Sequence, residues 1–156
     1  MLQDLQLATT PVIGFPTKPA RHWSCFLLGI DERDPVTDKI LRCAIALHRA
    51  VGPALKESIY HRGLEIEFEA SGLPFVSKPH FPVVYRGKTL GEFFPDFIVC
   101  DQVIVEVKSA SAFDRVFEAQ MITYLRVTRL QRALLLNFGR GTMRDGVHRF
   151  VNEWKG

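Results

Sequence analysis

Two short apolar stretches, residues 92–99 and 103–108, most constrain how this chain can fold. Both are rich in valine, isoleucine and phenylalanine, which favour a pleated and largely buried surface, so they predict two β-strands joined by a short connection. Charged side chains nevertheless interrupt these strands at Asp96, Glu106 and Lys108. A charge inside a buried strand is costly unless another group compensates it. The pattern therefore predicts that two carboxylates and one ammonium lie together, in an arrangement that can also hold a cation.

The length of the connection decides whether these charges meet. Side chains two residues apart in a strand share a face, so Glu106 and Lys108 point to the same side of the sheet. A three-residue loop at 100–102 places Asp96 opposite Glu106, whereas a two-residue loop turns Asp96 to the other face. Residues 101–102 lack the Gly or Asn that two-residue hairpin turns favour. We therefore predict the longer loop or a bulge.

Apolar residues at helical spacing predict two helices before this hairpin and one after it. The first helix is capped by Thr37, begins at Asp38 and stops at Gly52. The second runs from about residue 54 to 70, and the third from about residue 114 to 130. Their predicted core faces comprise Ile40, Ala44, Leu47 and Val51, then Leu55, Ile59, Leu64, Ile66 and Phe68, then Val116, Ala119, Ile122, Thr123 and Leu125.

The remaining apolar runs predict further strands. Residues 75–85 carry prolines and are expected to form an edge or irregular strand, and residues 89–99 include the first strand of the hairpin. Residues 133–137 are expected to form a central strand, parallel to its neighbour across the helix, and residues 147–151 a last strand at the edge. The expected fold class is α/β: a mixed sheet of about four to five strands flanked by helices, two of them N-terminal.

Residues 1–34 differ from the rest of the chain. Prolines and a glycine punctuate them, and their apolar run at residues 23–30 has no clear period. We expect a poorly ordered N-terminal extension over residues 1–34, followed by one domain over residues 35–156.

The composition excludes several classes of protein. A hydrophobic fraction of 47% and a charged fraction of 24% are typical of a globular domain, and the net charge of +3 permits a nucleic-acid partner without requiring one. The three cysteines are unclustered and no His-Glu-x-x-His spacing occurs, which argues against a disulfide framework or a zinc site. The chain has no apolar run near 18 residues and no secretory signal, so we expect a cytoplasmic protein without a membrane span.

Four segments, in order along the chain, resemble motifs of the PD-(D/E)XK nuclease superfamily. Pro95-Asp96, followed after nine residues by Glu106-Val107-Lys108, is similar to the motif that gives the superfamily its name. The segment from Gly52 to Tyr60, which contains Glu57, resembles the Gly-x-x-Glu-x-x-Tyr signature of a small branch, the GxxExxY family. The other two segments are Gln120-Met121-Ile122-Thr123-Tyr124, similar to a Gln-x-x-x-Tyr helix motif, and Leu135-Leu136-Asn137-Phe138-Gly139, similar to a closing strand.

This resemblance implies a restriction-endonuclease-like core and a Mg²⁺- or Mn²⁺-dependent enzyme that cleaves phosphodiester bonds in DNA or RNA. Carboxylate oxygens are the ligands that Mg²⁺ prefers, and such an ion activates water and neutralises phosphate charge. Lys108 is expected to orient the attacking water or to stabilise developing charge. The expected metal ligands are Asp96, Glu106 and Glu57, and the residues expected to line the same cleft are Gln120 and Tyr124.

Other interpretations stay open from the sequence. The chain is also compatible with a catalytically inactive nuclease-fold module that binds nucleic acid or a protein partner, or with a dimer-forming accessory protein. Eight Lys or Arg residues against four acids follow Lys108, a surplus that suits either phosphate contact or an ordinary solvated face. An isolated Glu-x-Lys pair can also be a surface ion pair of little energetic value.

Overall fold

A computed structural model of the protein describes residues 25–26 and 34–152. The elements, in chain order, are β1 Cys25–Phe26, α1 Pro35–Val51, α2 Glu57–Ala70, β2 Phe75–Ser77, β3 Phe81–Tyr85, β4 Lys88–Phe93, β5 Phe97–Val99, β6 Val103–Lys108, α3 Arg115–Thr128, β7 Arg132–Asn137, α4 Met143–Gly146 and β8 Val147–Asn152.

The strands form one mixed sheet and one separate hairpin. The sheet has six strands in the order β1-β8-β7-β6-β5-β2, and β3 pairs with β4 on its own. Within the sheet, β6 and β7 are parallel and the other neighbours are antiparallel. The predicted α/β class and the central parallel strand are confirmed. The strand predicted at the edge, β8, instead lies between β7 and the two-residue β1.

Helices cover both faces of the sheet. Buried residues of α1 and α2 pack with Val103, Val105 and Val107 of β6 on one face. Buried residues of α3 pack with Ile104 and with residues of β7 on the other face. Because side chains alternate along β6, Glu106 points toward the α3 side. The central strand is therefore buried on both faces, as expected for a strand with a parallel neighbour.

The helix bounds differ from the prediction at their starts. Asp34, not Thr37, caps α1: its carboxylate accepts from the Val36 backbone N–H at 3.3 Å and also from the Thr37 hydroxyl. Pro35 therefore occupies the first turn, which its fixed φ favours. The second helix begins at Glu57, because Ala54 adopts a left-handed φ of 66° in the connection before it. Asp114 caps α3, and its carboxylate accepts from the Val116 N–H at 2.9 Å.

The predicted core faces of the helices were partly wrong. In α2 the buried residues are Tyr60, Leu64 and Phe68, each one turn from the next, rather than the stripe that includes Ile59. In α3 the buried residues are Met121, Tyr124, Leu125 and Thr128. The predicted core residues that are exposed instead are Val51, Leu55, Ile59, Ile66, Val116, Ala119 and Thr123.

Two predicted strands are each broken in two. The run at 75–85 divides into β2 and β3, and the run at 89–99 divides into β4 and β5. Pro79 lies in the first break and Pro95 in the second, and proline cannot donate a hydrogen bond to a ladder. Consequently β2 and β5 join the main sheet, whereas β3 and β4 form the separate hairpin. Asp96 lies just before β5.

Most of the predicted extension over residues 1–34 lies outside the described residues. Within it, the backbone of β1 pairs with β8, and Asp34 is the buried cap of α1. Among the described residues, none of the helices is both long enough and apolar enough to cross a bilayer.

Candidate active site

The loop between β5 and β6 brings two carboxylates together. Val99 pairs with Val103, so the loop has the predicted three residues, with Cys100 and Asp101 at φ of 52° and 56°. In this register Asp96 and Glu106 are adjacent. The Asp96 backbone N–H donates to Glu106 Oε2 at 3.2 Å, and the Val107 N–H donates to Asp96 Oδ2 at 2.8 Å. The predicted convergence of the two acids is confirmed.

Glu106 is the buried member of this pair. Its residue is only 6% exposed, and burial raises the pKa of its carboxyl to about 7, with the charge of Asp96 adding to the rise. Lys108 opposes this effect: its Nζ lies 3.4 Å from Glu106 Oε1. The Lys108 ammonium also lies 5.2 Å from the centroid of the Phe117 ring, within the range of a cation–π contact. One lysine therefore offsets only part of the cost of burying this acid.

Asp96 is surrounded by donors that the sequence analysis did not assign. His61 Nδ1 lies 3.0 Å and Lys78 Nζ 2.8 Å from Asp96 Oδ1. The His61 ring stacks on Phe97 with centroids 4.2 Å apart, and its Nε2 lies 2.8 Å from Ser77 Oγ. Two side chains from outside the hairpin thus fix one oxygen of this carboxylate.

Of His61 and Lys78, only His61 could have been assigned to the site from the sequence. His61 follows Glu57 by four residues, a spacing that places two side chains on one face of a helix and could have indicated it. Lys78 left no such signal, because its approach to Asp96 depends on the break between β2 and β3 that the continuous strand prediction omitted.

Glu57 is held near Asp96 by the connection between α1 and α2. The buried Tyr60 hydroxyl donates to the Gly52 carbonyl at 2.6 Å and accepts from the Leu55 N–H at 3.0 Å. Glu57 Oε1 accepts from the Ser109 N–H at 3.2 Å, just beyond Lys108 of β6. This glutamate lines an open cleft of about 260 Å³ together with Ser58, His61, Lys78 and Asp96.

The spacing of the Gly-x-x-Glu-x-x-Tyr pattern needs a correction. Counted back from Glu57, the glycine of the pattern falls on Ala54 rather than on Gly52. Ala54 has a φ of 66°, in the left-handed region that glycine adopts without a steric penalty. Gly52, with a φ of 78°, caps the end of α1. The turn before Glu57 therefore has the left-handed backbone that glycine favours, although alanine occupies the glycine position of the pattern.

Gln120 and Tyr124 bond to each other. Gln120 Nε2 donates to Tyr124 Oη at 2.8 Å, and Tyr124 stacks on Phe93 with centroids 4.7 Å apart. Burial raises the pKa of Tyr124 to about 12, and the charge of Glu106 adds to the rise. Among the hydrogen bonds of the described residues, none joins this pair to Asp96, Glu106 or Lys108.

Asn137, in the fourth segment, fixes the loop that follows Lys108. Its Oδ1 accepts from the Ala110 N–H at 2.9 Å and from the Gly139 N–H at 3.0 Å. A Cβ at Gly139 would lie 2.4 Å from the Ala110 carbonyl oxygen, so this close approach requires glycine. The segment 135–139 thus supports the position of Lys108 and Ser109 without lining the cleft.

The donor chemistry of the site suits a hard cation, although its carboxylates are not gathered as a full ligand set. Over residues 25–26 and 34–152, no group of three or more His, Cys, Asp or Glu side chains is arranged to hold a metal ion. Burial nevertheless raises the pKa of Glu106, with the charge of Asp96 adding to the rise, and the Lys108 ammonium only partly opposes it. Carboxylate oxygens are the ligands that Mg²⁺ and Mn²⁺ bind, and Asp96 and Glu57 offer them at the cleft, with Glu106 buried beside Asp96. The side chains at this site therefore offer the kind of donor atoms that such an ion needs.

Comparison with known proteins gives one family. The family model of the PD-(D/E)XK nuclease superfamily matches residues 34–150, which include every residue of the site described above. Searches of curated proteins and of solved structures gave no match.

Proposed function

The chain belongs to the PD-(D/E)XK nuclease superfamily, and we propose that it is a Mg²⁺- or Mn²⁺-dependent nuclease that hydrolyses phosphodiester bonds in DNA or RNA. Members of this superfamily are usually metal-dependent nucleases, and their substrate is nucleic acid. The observation that supports the proposal best is the hydrogen bond from the Asp96 backbone N–H to the Glu106 carboxylate, which brings the two acids side by side, with Lys108 beside Glu106. A purely structural Glu106–Lys108 ion pair has no need of a second acid beside it.

In this proposal each side chain has a defined task. When bound, a divalent ion supplies a Lewis acid and an activated water. Asp96 and Glu106 would hold the ion, and Glu57, which lines the same cleft as Asp96, would add a third carboxylate. Lys108 holds its ammonium beside Glu106, where it orients the water or stabilises negative charge on the phosphate.

We further propose that the chain belongs to the GxxExxY branch. One support is the two hydrogen bonds that the Tyr60 hydroxyl makes with Gly52 and Leu55, in the connection before Glu57. The other is the left-handed backbone at Ala54, where the pattern has glycine. Gln120 and Tyr124 stay in this proposal as residues on the α3 side of the sheet, although they do not line the cleft. Their effect on cleavage is a prediction.

The first test is cleavage of mixed DNA and RNA with Mn²⁺ or Mg²⁺, comparing the wild type with Asp96→Asn. Since a metal ion is worth several kcal/mol of charge stabilisation, loss of a ligand should lower the rate by about 10²- to 10³-fold. Mn²⁺ should raise the melting temperature of the wild type but not of the variant.

The matched control is Asp101→Asn, in the loop at the other end of the same two strands. Asparagine tolerates the left-handed backbone at that position, so this variant should keep wild-type cleavage and metal response. A second variant, Lys108→Ala, should lose cleavage but keep stabilisation by Mn²⁺. Equal cleavage by wild type and Asp96→Asn would contradict the proposal.

A second function is favoured by one specific observation. Lys78 and His61 already bond to Asp96, and the described residues include no group of three metal-binding side chains. This arrangement suits an inactive nuclease-fold module that binds nucleic acid or a protein through its basic C-terminal third. For such a module, Mn²⁺ would not change the melting temperature, and Asp96→Asn would leave nucleic-acid affinity unchanged.

Location and assembly are also predictions. The free thiols of Cys43 and Cys100 are consistent with the reducing cytoplasm that we expect for this protein. A homodimer is a further expectation from the sequence analysis, and size-exclusion chromatography of the full chain would test it.

A further inference from the structure

Lys78 is tied to Asp96 at both its backbone and its side chain. The Lys78 N–H donates to the Asp96 carbonyl at 2.8 Å, and its ammonium donates to Asp96 Oδ1, also at 2.8 Å. To make both bonds, Lys78 adopts a φ of 50°, which is uncommon for a residue other than glycine. Pro79 follows it and restricts its backbone further. Strained backbone of this kind concentrates at functional sites.

The Lys78 ammonium contacts one of the three carboxylates that the proposed function assigns to a metal, that of Asp96. The hydrogen bond to Asp96 is the main cause that raises the pKa of Lys78, and the charges of Asp96, Glu106 and Glu57 add to it. Lys78 also lines the same cleft as Asp96 and Glu57. An ammonium therefore already lies beside Asp96 at the cleft, where an ion held by that carboxylate would also lie.

The two lysines of the site differ in their freedom to move. The Lys78 side chain is 59% exposed, whereas that of Lys108 is 15% exposed and packs between Glu106 and Phe117. An exposed lysine has a flexible stem and gains little from one ion pair. Lys78 can therefore leave Asp96 toward the solvent, while Lys108 stays.

From these contacts we propose that Lys78 is a built-in counter-cation, which neutralises Asp96 in the metal-free site and is displaced when a divalent ion binds. This inference rests on the proposed function, because it assumes that the acids bind such an ion. Two cations within a few ångströms of Asp96 repel each other, so ammonium and metal compete for the same carboxylate. Lys78 thereby sets the metal concentration at which the site fills.

The test is titration of the metal-free full chain with Mn²⁺ alone, followed by calorimetry or by the electron paramagnetic resonance of free Mn²⁺. Lys78→Met keeps the length of the side chain and removes its charge. It should bind Mn²⁺ about three- to tenfold more tightly than the wild type, the range for a partly exposed charge-assisted contact. Lys78→Arg keeps the charge and should bind Mn²⁺ like the wild type.

The matched control is Lys88→Met, a lysine of the β3–β4 hairpin that has no ion pair among the described residues. Its affinity for Mn²⁺ should be unchanged, and far-UV circular dichroism of all three variants checks that they fold. Equal affinity of the wild type and Lys78→Met would overturn the counter-cation while leaving the metal site intact. Weaker binding by Lys78→Met would also overturn it, and would mean that Lys78 orients Asp96.

Two further results separate this inference from the proposed function. Binding by Lys78→Met but not by the wild type would support the counter-cation in its strongest form, in which the lysine closes the site. If neither protein binds Mn²⁺, both the metal site and the counter-cation fail. If the wild type binds Mn²⁺ through Asp96 but cleaves no nucleic acid, the counter-cation stands and the nuclease proposal fails.

Discussion

Asp96 and Glu106 are neighbours across one hairpin, yet their surroundings are opposite. Asp96 faces an open cleft and is bonded to His61, Lys78 and the backbone of Val107. Glu106 is enclosed on the α3 side, with Lys108 as its only ion-pair partner in the described part of the chain. Asp96 is paired with an exposed ammonium, that of Lys78, which can leave it, whereas Glu106 is kept from water.

This difference bears on the binding of a divalent ion that we propose for the site. Asp96 accepts hydrogen bonds from its neighbours, whereas burial penalises the charged form of Glu106 and holds its pKa near 7. Any further positive charge beside Glu106 would therefore favour its charged form. A divalent ion held by Asp96 would lower the pKa of Glu106 in this way, and the proton of Glu106 would pass to the solvent.

The largest effect is expected on the buried side, from Glu106→Gln in metal-free buffer. Because the folded pKa of Glu106 is raised from 4.5 to about 7, its contribution to stability is present below pH 4.5 and is lost as pH rises to about 7. Glutamine keeps an acceptor for the Asp96 N–H but cannot ionise. At pH 8 the variant should therefore be more stable than the wild type by on the order of 2 kcal/mol, and near pH 4.5 the difference should vanish.

Urea unfolding between pH 4.5 and pH 8 measures this difference. Glu69→Gln, at the exposed end of α2, is the control and should change the free energy of unfolding by less than about 0.5 kcal/mol at every pH. With saturating Mn²⁺ the order should reverse, because only the wild type keeps the ligand. A variant that is less stable than the wild type at pH 8 would show that Lys108 fully compensates the buried charge.

On the open side, His61 should act on metal binding through Asp96. The His61 ring is fixed by Phe97 and Ser77, so it orients the carboxylate instead of leaving it. His61→Ala should weaken Mn²⁺ binding by about 10- to 100-fold, the usual effect of removing a residue that positions a ligand. His61→Asn, whose amide lies near the former Nδ1, should recover most of that affinity.

The control for this pair is His80→Ala, an exposed histidine between β2 and β3, which should bind Mn²⁺ like the wild type. Calorimetry with Mn²⁺ is the measurement, since a loss of stability alone would not lower affinity in the folded protein. Tighter binding by His61→Ala would instead make His61 a second exchangeable cation, like Lys78. The two residues on Asp96 are thus expected to act in opposite directions.

Local chemistry explains why the sequence predicted the acid pair. The strand period and the absence of turn-forming residues at 101–102 were enough to set Asp96 opposite Glu106, and both depend on neighbours along the chain. The parallel pairing of β6 and β7 was predicted for a similar reason, since a helix separates two apolar runs.

Tertiary contacts explain what the sequence did not predict. Apolar residues occur on more than one side of α2, and the buried side is chosen by Tyr60, whose ring stacks on Phe138 with centroids 4.3 Å apart. Lys78 meets Asp96 only because the chain leaves the main sheet at Pro79 and enters a separate hairpin. Neither fact can be read from residue spacing, because each depends on segments far apart in the chain.

The smallest effect concerns the turn that holds Glu57 on the open side. A left-handed backbone costs a residue with a Cβ about 1–2 kcal/mol, and Ala54 bears that cost. Ala54→Gly removes it but adds about 0.4–1 kcal/mol of conformational entropy to the unfolded chain. The strain outweighs the entropy, so the variant should gain up to about 1 kcal/mol in the free energy of unfolding.

Urea unfolding of Ala54→Gly beside Ala46→Gly tests the sign of this effect. Ala46 lies on the exposed face inside α1, where glycine should cost about 1 kcal/mol, so the two identical substitutions should act in opposite directions. A loss of stability at both positions would mean that Ala54 is not strained. If Ala54→Gly gains stability but binds Mn²⁺ more weakly, the strained turn is what keeps Glu57 facing Asp96 across the cleft.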